Sequence, residues 1–152
     1  MLSVLIETHN AERPLAFTLS ALVPAVVEGL LRRVVVIDRG STDETALVAV
    51  GAGCSYYSET DIDVALAELR TPWVLFLKPG AVPQEGWEEV ARRHMEGEGG
   101  PARFSLAADA GLLARLETVR PLLRDGVIFD DLPQRLKPIR LKHTILPPSA
   151  ER

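Results

Sequence analysis

The sequence predicts a single α/β domain in which a mostly parallel central sheet is flanked by helices. Short apolar runs alternate with stretches whose apolar residues recur at helical spacing, which is the pattern of β–α–β units around a parallel sheet. The apolar runs are nearly continuous, as expected for strands that are buried on both faces. A chain of 152 residues is long enough for one compact core and too short for two.

The first half of the chain predicts strands that are each followed by a helix. The strands coincide with the apolar runs at residues 2–6, 34–37, 54–57 and 73–77. The helices are expected over residues 15–30, 43–50, 61–69 and 84–95. Pro24 is expected to kink or divide the first helix, because proline cannot donate a helical hydrogen bond. Ser41 or Thr42 is expected to cap the second helix, and the glycines at 51 and 53 to end it.

The second half of the chain is less regular. The segment EGEGGP at residues 96–101 predicts a linker, after which a strand is expected at residues 103–107 and a helix at residues 111–123. The tail favours irregular structure with one further strand near residues 139–143, because it contains several prolines: Pro133, Pro138, Pro147 and Pro148.

Charge and cysteine content exclude several classes of function. The net charge of −4 provides no electrostatic footprint for nucleic acid. Cys54 is the only cysteine, which excludes an intrachain disulfide or a cysteine-rich zinc site and suits a reducing compartment. The N-terminus lacks a signal-peptide pattern and no apolar run is long enough to span a bilayer, so we expect a cytoplasmic protein without a transmembrane segment. Peripheral contact with a membrane is compatible with this expectation.

Three polar loops follow predicted strands, at residues 7–10, 38–43 and 78–82. Ligands of an open parallel sheet bind beyond the carboxyl ends of its strands, so these loops together predict one site. The first loop carries Thr8, His9 and Asn10, and the alternative for it is an ordinary polar turn. His9 has no second histidine or cysteine at metal-ligand spacing, so we do not interpret it as a zinc ligand.

The second loop, Asp38-Arg39-Gly40-Ser41-Thr42-Asp43, is the richest of the three. Asp38 ends a buried strand, where its carboxylate can accept hydrogen bonds from a base or a ribose, and Gly40 allows close approach of the backbone. The alternative is a turn before a helix, in which a hydroxyl caps the helix and Asp43 interacts with the helix dipole. Spacing alone favours this alternative.

The order of these motifs resembles glycosyltransferase family 2, the nucleotide-sugar transferases with the GT-A fold. VLIETHN is similar to the family's opening V-I-I-P-T-Y-N, and VVVIDRGSTDET is similar to V-I-V-V-D-D-G-S-T-D-x-T. WVLFLKPGAVPQEGWEEV stands where the family has W-(I/L)-L-F-L-D-A-D and a Pro-x-x-W helix. LVPAVVEGLLRR is similar to a small bacterial branch of the family. The resemblance is clear over residues 2–95 and weaker after the linker.

The resemblance implies one Rossmann-like GT-A domain over residues 1–152, with a nucleotide-binding part (1–95), the linker (96–101) and a shortened acceptor-side part (102–152). It implies a nucleotide-diphospho-sugar of the UDP or GDP type and an unidentified acceptor. It also implies a general base among Asp125, Asp130 and Asp131. The implied contacts to the nucleotide-sugar are Thr8, Asn10, Asp38, Arg39, Gly40, Ser41, Asp43 and Lys78.

Several departures from the family pattern bear on a metal. Family members bind a divalent ion on the D-x-D carboxylates, and here Lys78 and Gly80 occupy both acidic positions, with Pro79 between them. Glu7 stands where proline is usual, and Arg39 replaces the second aspartate of a D-D pair. We therefore expect no cofactor and a lost Mg²⁺ or Mn²⁺ site. One hypothesis is that Lys78, with Arg39, supplies the counter-charge of the diphosphate directly. The other is that the site has decayed and Lys78 is a solvated turn residue.

The expected function is transfer of a sugar from a nucleotide-diphospho-sugar, metal-independent or impaired. The alternative is an inactive GT-A-like nucleotide-binding or interaction protein, since a fold does not determine a function. A nucleotidyltransferase ranks third, because the loop THNAERP has no glycine and a single basic residue to hold a triphosphate. A dinucleotide site is less favoured still, because no G-x-G-x-x-G follows the first strand.

Overall fold

The computed structural model describes residues 1–97, 102–106, 122–124 and 139–146. Its strands are β1 (Leu2–Thr8), β2 (Leu31–Asp38), β3 (Ser55–Ser58), β4 (Trp73–Leu77), β5 (Val82–Pro83), β6 (Ala102–Leu106), β7 (Leu122–Arg124) and β8 (Ile139–Leu146). Its helices are α1 (Glu12–Val27), α2 (Thr45–Gly51), α3 (Ile62–Ala67) and α4 (Trp87–Glu96), with a 3₁₀ turn at Glu59–Asp61 before α3.

These strands form one sheet in the order β3-β2-β1-β4-β7-β6-β8-β5. β1 pairs in parallel with β2 on one side and with β4 on the other, and β2 pairs in parallel with β3. Beyond β4 the sheet is mixed, because β7 runs antiparallel to β4 and β6, and β5 runs antiparallel to β8. β6 and β8 are parallel. The predicted fold class, an α/β domain with a mostly parallel sheet, is confirmed.

β1 lies inside the core because both of its faces are covered. Leu2, Val4 and Ile6 pack in the larger of two apolar clusters, together with buried residues of α1. Leu5 points to the opposite face and packs in the smaller cluster, which includes Ala65 of α3. All four β1 residues are at most 1% exposed. Packing from both sides therefore holds the strand that carries the first candidate loop.

Helix α1 continues through Pro24, so the expected division of this helix is wrong, whereas the alternative, a kink at Pro24, stays a prediction. Its buried face consists of Leu15, Thr18, Leu19, Leu22 and Ala25. Pro24 is exposed, and the residue four positions earlier, Ser20, is exposed as well. Water can therefore bind the carbonyl oxygen that has no helical donor, and the missing hydrogen bond leaves no buried polar group.

The predicted elements of the first half are present with shifted ends. α2 begins at Thr45 and is followed by Gly53, whose φ of 78° is in the left-handed region that glycine tolerates best, so the predicted glycine ending is confirmed. The helix predicted at residues 61–69 is the shorter α3, and α4 begins three residues later than predicted, at Trp87. Among the described residues, no helix has both the length and the apolarity needed to cross a bilayer.

The second half contains strand pairings that the prediction lacks. Residues 122 and 123 belong to β7, so the prediction of a helix over 111–123 is wrong at these positions. β7 pairs with β4 at residues 73–75 and satisfies backbone groups along that edge. Residues 107 and 111–121 lie outside the described residues. β6 and β8 confirm the strands predicted near 103–107 and 139–143, and the two residues of β5 pair with β8.

Replacement of a core leucine tests the position of β4. Leu75 is 0% exposed, and Leu75→Ala should lower the free energy of unfolding by about 2–5 kcal/mol through lost burial and a residual cavity. Leu47→Ala is the matched control, because Leu47 on α2 is 66% exposed and its truncation should change stability by less than about 0.5 kcal/mol. Urea denaturation measures both values. Equal losses would contradict the burial of β4.

Candidate functional site

The carboxyl ends of β1, β2 and β4 meet at one edge of the sheet. Thr8 is paired with Asp38 in the β1–β2 register, and Ile6 is paired with Leu77 in the β1–β4 register. Because the three strands are parallel, the loops that follow them leave the sheet on the same side. The predicted convergence of the three loops therefore has a physical basis in the pairing of β1.

A cleft of about 270 Å³ lies at this edge. Three of the residues predicted from the sequence line it: Thr8, Arg39 and Lys78. The other predicted residues of the first two loops are not among its lining residues. Apolar side chains form part of the wall, and the full lining is Leu5, Glu7, Thr8, His9, Arg39, Phe76, Leu77, Lys78 and Pro79.

The hydroxyl of Thr8 is the unusual polar group of the cleft. Thr8 is 3% exposed, and its Oγ1 has no hydrogen-bond partner within the described part of the chain. A buried hydroxyl without a partner costs about 1–3 kcal/mol, so native structures rarely contain one. Thr8 lines the cleft, but its Oγ1 has less than 1 Å² of accessible surface, so a ligand would reach this hydroxyl only after a local rearrangement.

Arg39 is held at the cleft by its backbone and its side chain. Its amide donates to the carbonyl oxygen of Thr8 at 2.9 Å, which adds one bond to the β1–β2 ladder. Its carbonyl oxygen lies 3.0 Å from Nδ1 of His9. Its guanidinium Nε forms an ion pair with Glu7. Two departures from the family pattern, Glu7 and Arg39, are therefore each other's partners.

Asp38 is saturated by donors of the protein itself. Its carboxylate accepts a hydrogen bond of 2.8 Å from the amide of Ser41 and others from the Ser41 hydroxyl, the Tyr56 hydroxyl and the Gly40 amide. Burial raises the pKa of Asp38, but these hydrogen bonds outweigh it, and the pKa lies below its ordinary value. A carboxylate offers about four acceptor positions, so a ligand donor would have to displace a protein donor or share its place.

Tyr56 is a site residue that sequence reasoning missed. Burial, the hydrogen bond to Asp38 and the negative charges of Asp38 and Asp43 together raise the pKa of Tyr56 to about 12. The signal for this contact is the strand register. Val36 pairs with Tyr56, and Asp38 lies two residues further along β2 on the same face, so Tyr56 is diagonal to the carboxylate.

Asn10 connects the first loop to the second. The backbone amide of Asn10 donates to Oγ of Ser41 at 2.7 Å. The side-chain Oδ1 of Asn10 accepts a hydrogen bond of 2.7 Å from the backbone amide of Thr42. Asn10 has a φ of 46°, in the left-handed region that asparagine tolerates better than most residues. Gly40 has a φ of 77° in the facing loop. These two positions let the loops approach each other and bond directly.

The predicted cap of α2 by Ser41 or Thr42 is wrong. Ser41 bonds with Asp38 and Asn10, and α2 has no hydrogen bond from a capping side chain. Asp43 instead accepts hydrogen bonds from the amide and hydroxyl of Thr45, at 3.1 Å and 2.5 Å, and these bonds lower its pKa. Its other oxygen accepts from the amide of Glu12 at 3.3 Å. Asp43 therefore connects the beginnings of α1 and α2.

The turn after β4 is fixed against α1. The amide of Gly80 donates to Oγ1 of Thr18 at 2.8 Å and to the carbonyl oxygen of Pro14 at 3.0 Å. Gly80 has a φ of 88°, a conformation in which a side chain would be strained. Lys78 lies half-buried directly before this turn. The candidate bases Asp125, Asp130 and Asp131 lie outside the described residues.

Comparison with known proteins gives matches only in structure. No family model matches the sequence, and no curated protein matches it. The chain is similar to glucosyl-3-phosphoglycerate synthase from Mycobacterium tuberculosis, with a TM-score of 0.61 at 17% identity over 82% of this chain and 56% of that one. It is also similar to S. aureus TarS 1–349, with a TM-score of 0.65 at 17% identity over 81% of this chain and 46% of that one.

Both proteins are glycosyltransferases with the GT-A fold. This chain has the GT-A fold. It spans about half the length of the structures that it matches. The resemblance of its motifs to family 2 is thereby supported at the level of the GT-A fold.

The prediction that no cofactor is needed and that the metal site is lost is wrong. Structures of the similar synthase contain Mn²⁺ together with UDP or UDP-glucose. Within the described residues, no group of three or more His, Cys, Asp or Glu side chains could hold a metal ion. The segment Lys78-Pro79-Gly80 offers no carboxylate, and Asp38 is occupied by protein donors. We derive no step through such an ion.

Asp38 should make stability depend on pH in the acid range. The folded pKa lies below the unfolded value of about 3.9, so its stabilising contribution is present above that value and is lost as pH falls through the folded pKa. Asp38→Asn should therefore lower the free energy of unfolding by about 1–3 kcal/mol at pH 7 and by less at pH 3. Urea denaturation at the two pH values measures this. The control is Asp63→Asn on the exposed side of α3, which should follow the wild type. Equal losses at both pH values would refute a stabilising charge on Asp38.

Proposed function

We propose that this chain is a glycosyltransferase of the family 2 type whose cleft binds the nucleoside diphosphate part of a UDP- or GDP-type nucleotide-sugar. The sugar would be transferred to an acceptor hydroxyl. The similarity in fold to nucleotide-sugar glycosyltransferases supports this reaction class. The position of the cleft supports it as well, because it lies where parallel α/β sheets bind their ligands.

The observation that carries the proposal is the composition of the cleft. Thr8, whose hydroxyl has no partner among the described residues, lines the cleft together with two cationic residues, Arg39 and Lys78. The apolar residues Leu5 and Phe76 also line the cleft and are at most 3% exposed. A diphosphate would interact with the cations, and a guanidinium can bind phosphate oxygens through two parallel hydrogen bonds.

The remaining predicted residues would act on the nucleotide through the loop backbone. Asn10, Gly40 and Ser41 set the path of the two loops, and Asp43 fixes the second loop to the beginning of α1. Asp38 would order the loop through Ser41, and it would contact a nucleoside by exchanging one protein donor for a ligand donor. Hydrogen bonds that already exist in the free protein reduce the ordering cost of binding.

We further propose that residues 1–95 form the nucleotide-binding part, that residues 96–101 are a linker and that residues 102–152 form the acceptor side. A carboxylate from the acceptor side, Asp125, Asp130 or Asp131, would accept the proton of the attacking hydroxyl. Removal of that proton by a positioned base accelerates such a transfer by about 10²–10⁴-fold. The bond from the sugar to the diphosphate breaks as the new glycosidic bond forms.

Calorimetric titration with UDP and GDP, each with and without Mn²⁺, tests nucleotide binding. We expect one of the two nucleotides to bind in Mn²⁺-containing buffer, because the similar synthase and TarS have both been crystallised with UDP. Release of nucleotide from UDP-glucose or GDP-mannose then separates an enzyme from a binding protein. Absence of binding to both nucleotides would refute the proposal and favour an interaction protein built on the fold.

Thr8→Val tests the role of the buried hydroxyl, because it should increase the stability of the protein and decrease its affinity for the nucleotide. The free energy of unfolding should rise by up to about 1 kcal/mol, because a buried hydroxyl without a partner is removed without a change of shape. Affinity for the nucleotide should fall about tenfold, because its hydrogen bond is lost.

The matched control for this variant is Thr18→Val. Thr18 is 0% exposed, but its hydroxyl bonds with Gly80 and Pro14, so the same substitution should destabilise the protein by about 1–2 kcal/mol. Urea denaturation measures both variants, and calorimetry measures nucleotide binding by Thr8→Val. A destabilised Thr8→Val protein with unchanged affinity would contradict the proposed role of Thr8.

A further inference from the structure

We infer that Glu7 is a positioning residue that orients the guanidinium of Arg39 toward the phosphates of the bound nucleotide, an inference that rests on the proposed function. Both side chains line the cleft, and Oε1 of Glu7 forms an ion pair with Nε of Arg39. Glu7 would touch neither the nucleotide nor the transferred sugar. It would act through Arg39.

The backbone places both partners before any ligand binds. Glu7 is paired with Ile37 in the β1–β2 register, and Arg39 directly follows the last residue of β2. The amide of Arg39 donates to Thr8, which directly follows Glu7. The two side chains therefore begin from neighbouring points of one hydrogen-bonded ladder, and the ion pair fixes the long side chain of Arg39.

The ion pair leaves most of the guanidinium donors of Arg39 for a ligand. A guanidinium has five N–H donors, and the ion pair with Glu7 is formed through Nε. The terminal nitrogens have no hydrogen bond or ion pair with other described residues. The Arg39 side chain is 54% exposed, whereas the Glu7 side chain is 20% exposed. The anchoring carboxylate is thus the more enclosed member of the pair.

Two simpler explanations of Glu7 predict other results. The first explanation is a purely structural role, in which Glu7 only contributes to stability. A half-exposed ion pair contributes little to stability, so this explanation predicts almost no effect of Glu7→Ala on UDP binding. By Coulomb's law alone, a carboxylate beside an anion site repels phosphate, so its removal should strengthen UDP binding. A positioning role predicts that removal of Glu7 weakens UDP binding, because an arginine that is not held in place loses conformational freedom when it binds phosphate.

Calorimetry with UDP and with uridine, in the same Mn²⁺-containing buffer, separates these explanations. We expect Glu7→Ala to weaken UDP binding about tenfold and Glu7→Gln to weaken it about threefold, since the amide oxygen of glutamine still accepts a hydrogen bond from Nε. Uridine binding should not change, because uridine lacks phosphate. In an Arg39→Ala background, Glu7→Ala should have no further weakening effect on UDP binding.

The control variant is Glu89→Gln, which removes a carboxylate that pairs with Arg93 on α4, away from the cleft. It should bind UDP as the wild type does, and all variants should melt within a few degrees of the wild type. Equal or tighter UDP binding by Glu7→Ala would overturn the inference alone. Equal weakening for UDP and uridine would also overturn it, since the effect would then not involve phosphate. Absence of wild-type binding to both ligands would overturn the proposed function and this inference together.

Discussion

The parallel pairing of β1 with β2 and β4 is the constraint on which the rest of the structure depends. It buries β1 on both faces and brings three strand ends to one edge. The same register sets Thr8 beside Asp38 and Glu7 beside Ile37. The core and the cleft therefore share one cause, and a change in register of one residue would turn the loop side chains to the wrong face.

The side chains of the second loop act mainly on one another. Asp38 bonds with Ser41, Ser41 bonds with Asn10, and Asp43 bonds with Thr45 and Glu12. The residue types in this loop are those of many active sites. Each of these hydrogen bonds nevertheless satisfies a backbone or side-chain group of the protein itself. Their effect is to hold two loops in a single arrangement beside the cleft. A preformed site of this kind loses less entropy when a ligand binds.

The strands β1, β2 and β4 could be predicted from the sequence, because their apolar runs reflect local burial on both faces. The position of the cleft at the carboxyl ends of these strands could be predicted as well, because it follows from the parallel connectivity of the sheet. β7 and the Tyr56 contact could not be predicted, since each depends on which distant strand lies alongside. The Glu7–Arg39 pair was hidden for the same reason, because each residue appeared as a separate departure from a motif. The metal prediction failed because it relied on one loop, residues 78–80.

The hydrogen bond from the Arg39 amide to Thr8 has a consequence for dynamics. This bond extends the ladder between β1 and β2, so the wall of the cleft is continuous with the hydrophobic core. The amide hydrogen is protected from exchange while this end of the β1–β2 ladder is closed. A nucleotide bound at this wall would therefore slow hydrogen exchange at the ends of both strands, including amides that it does not touch.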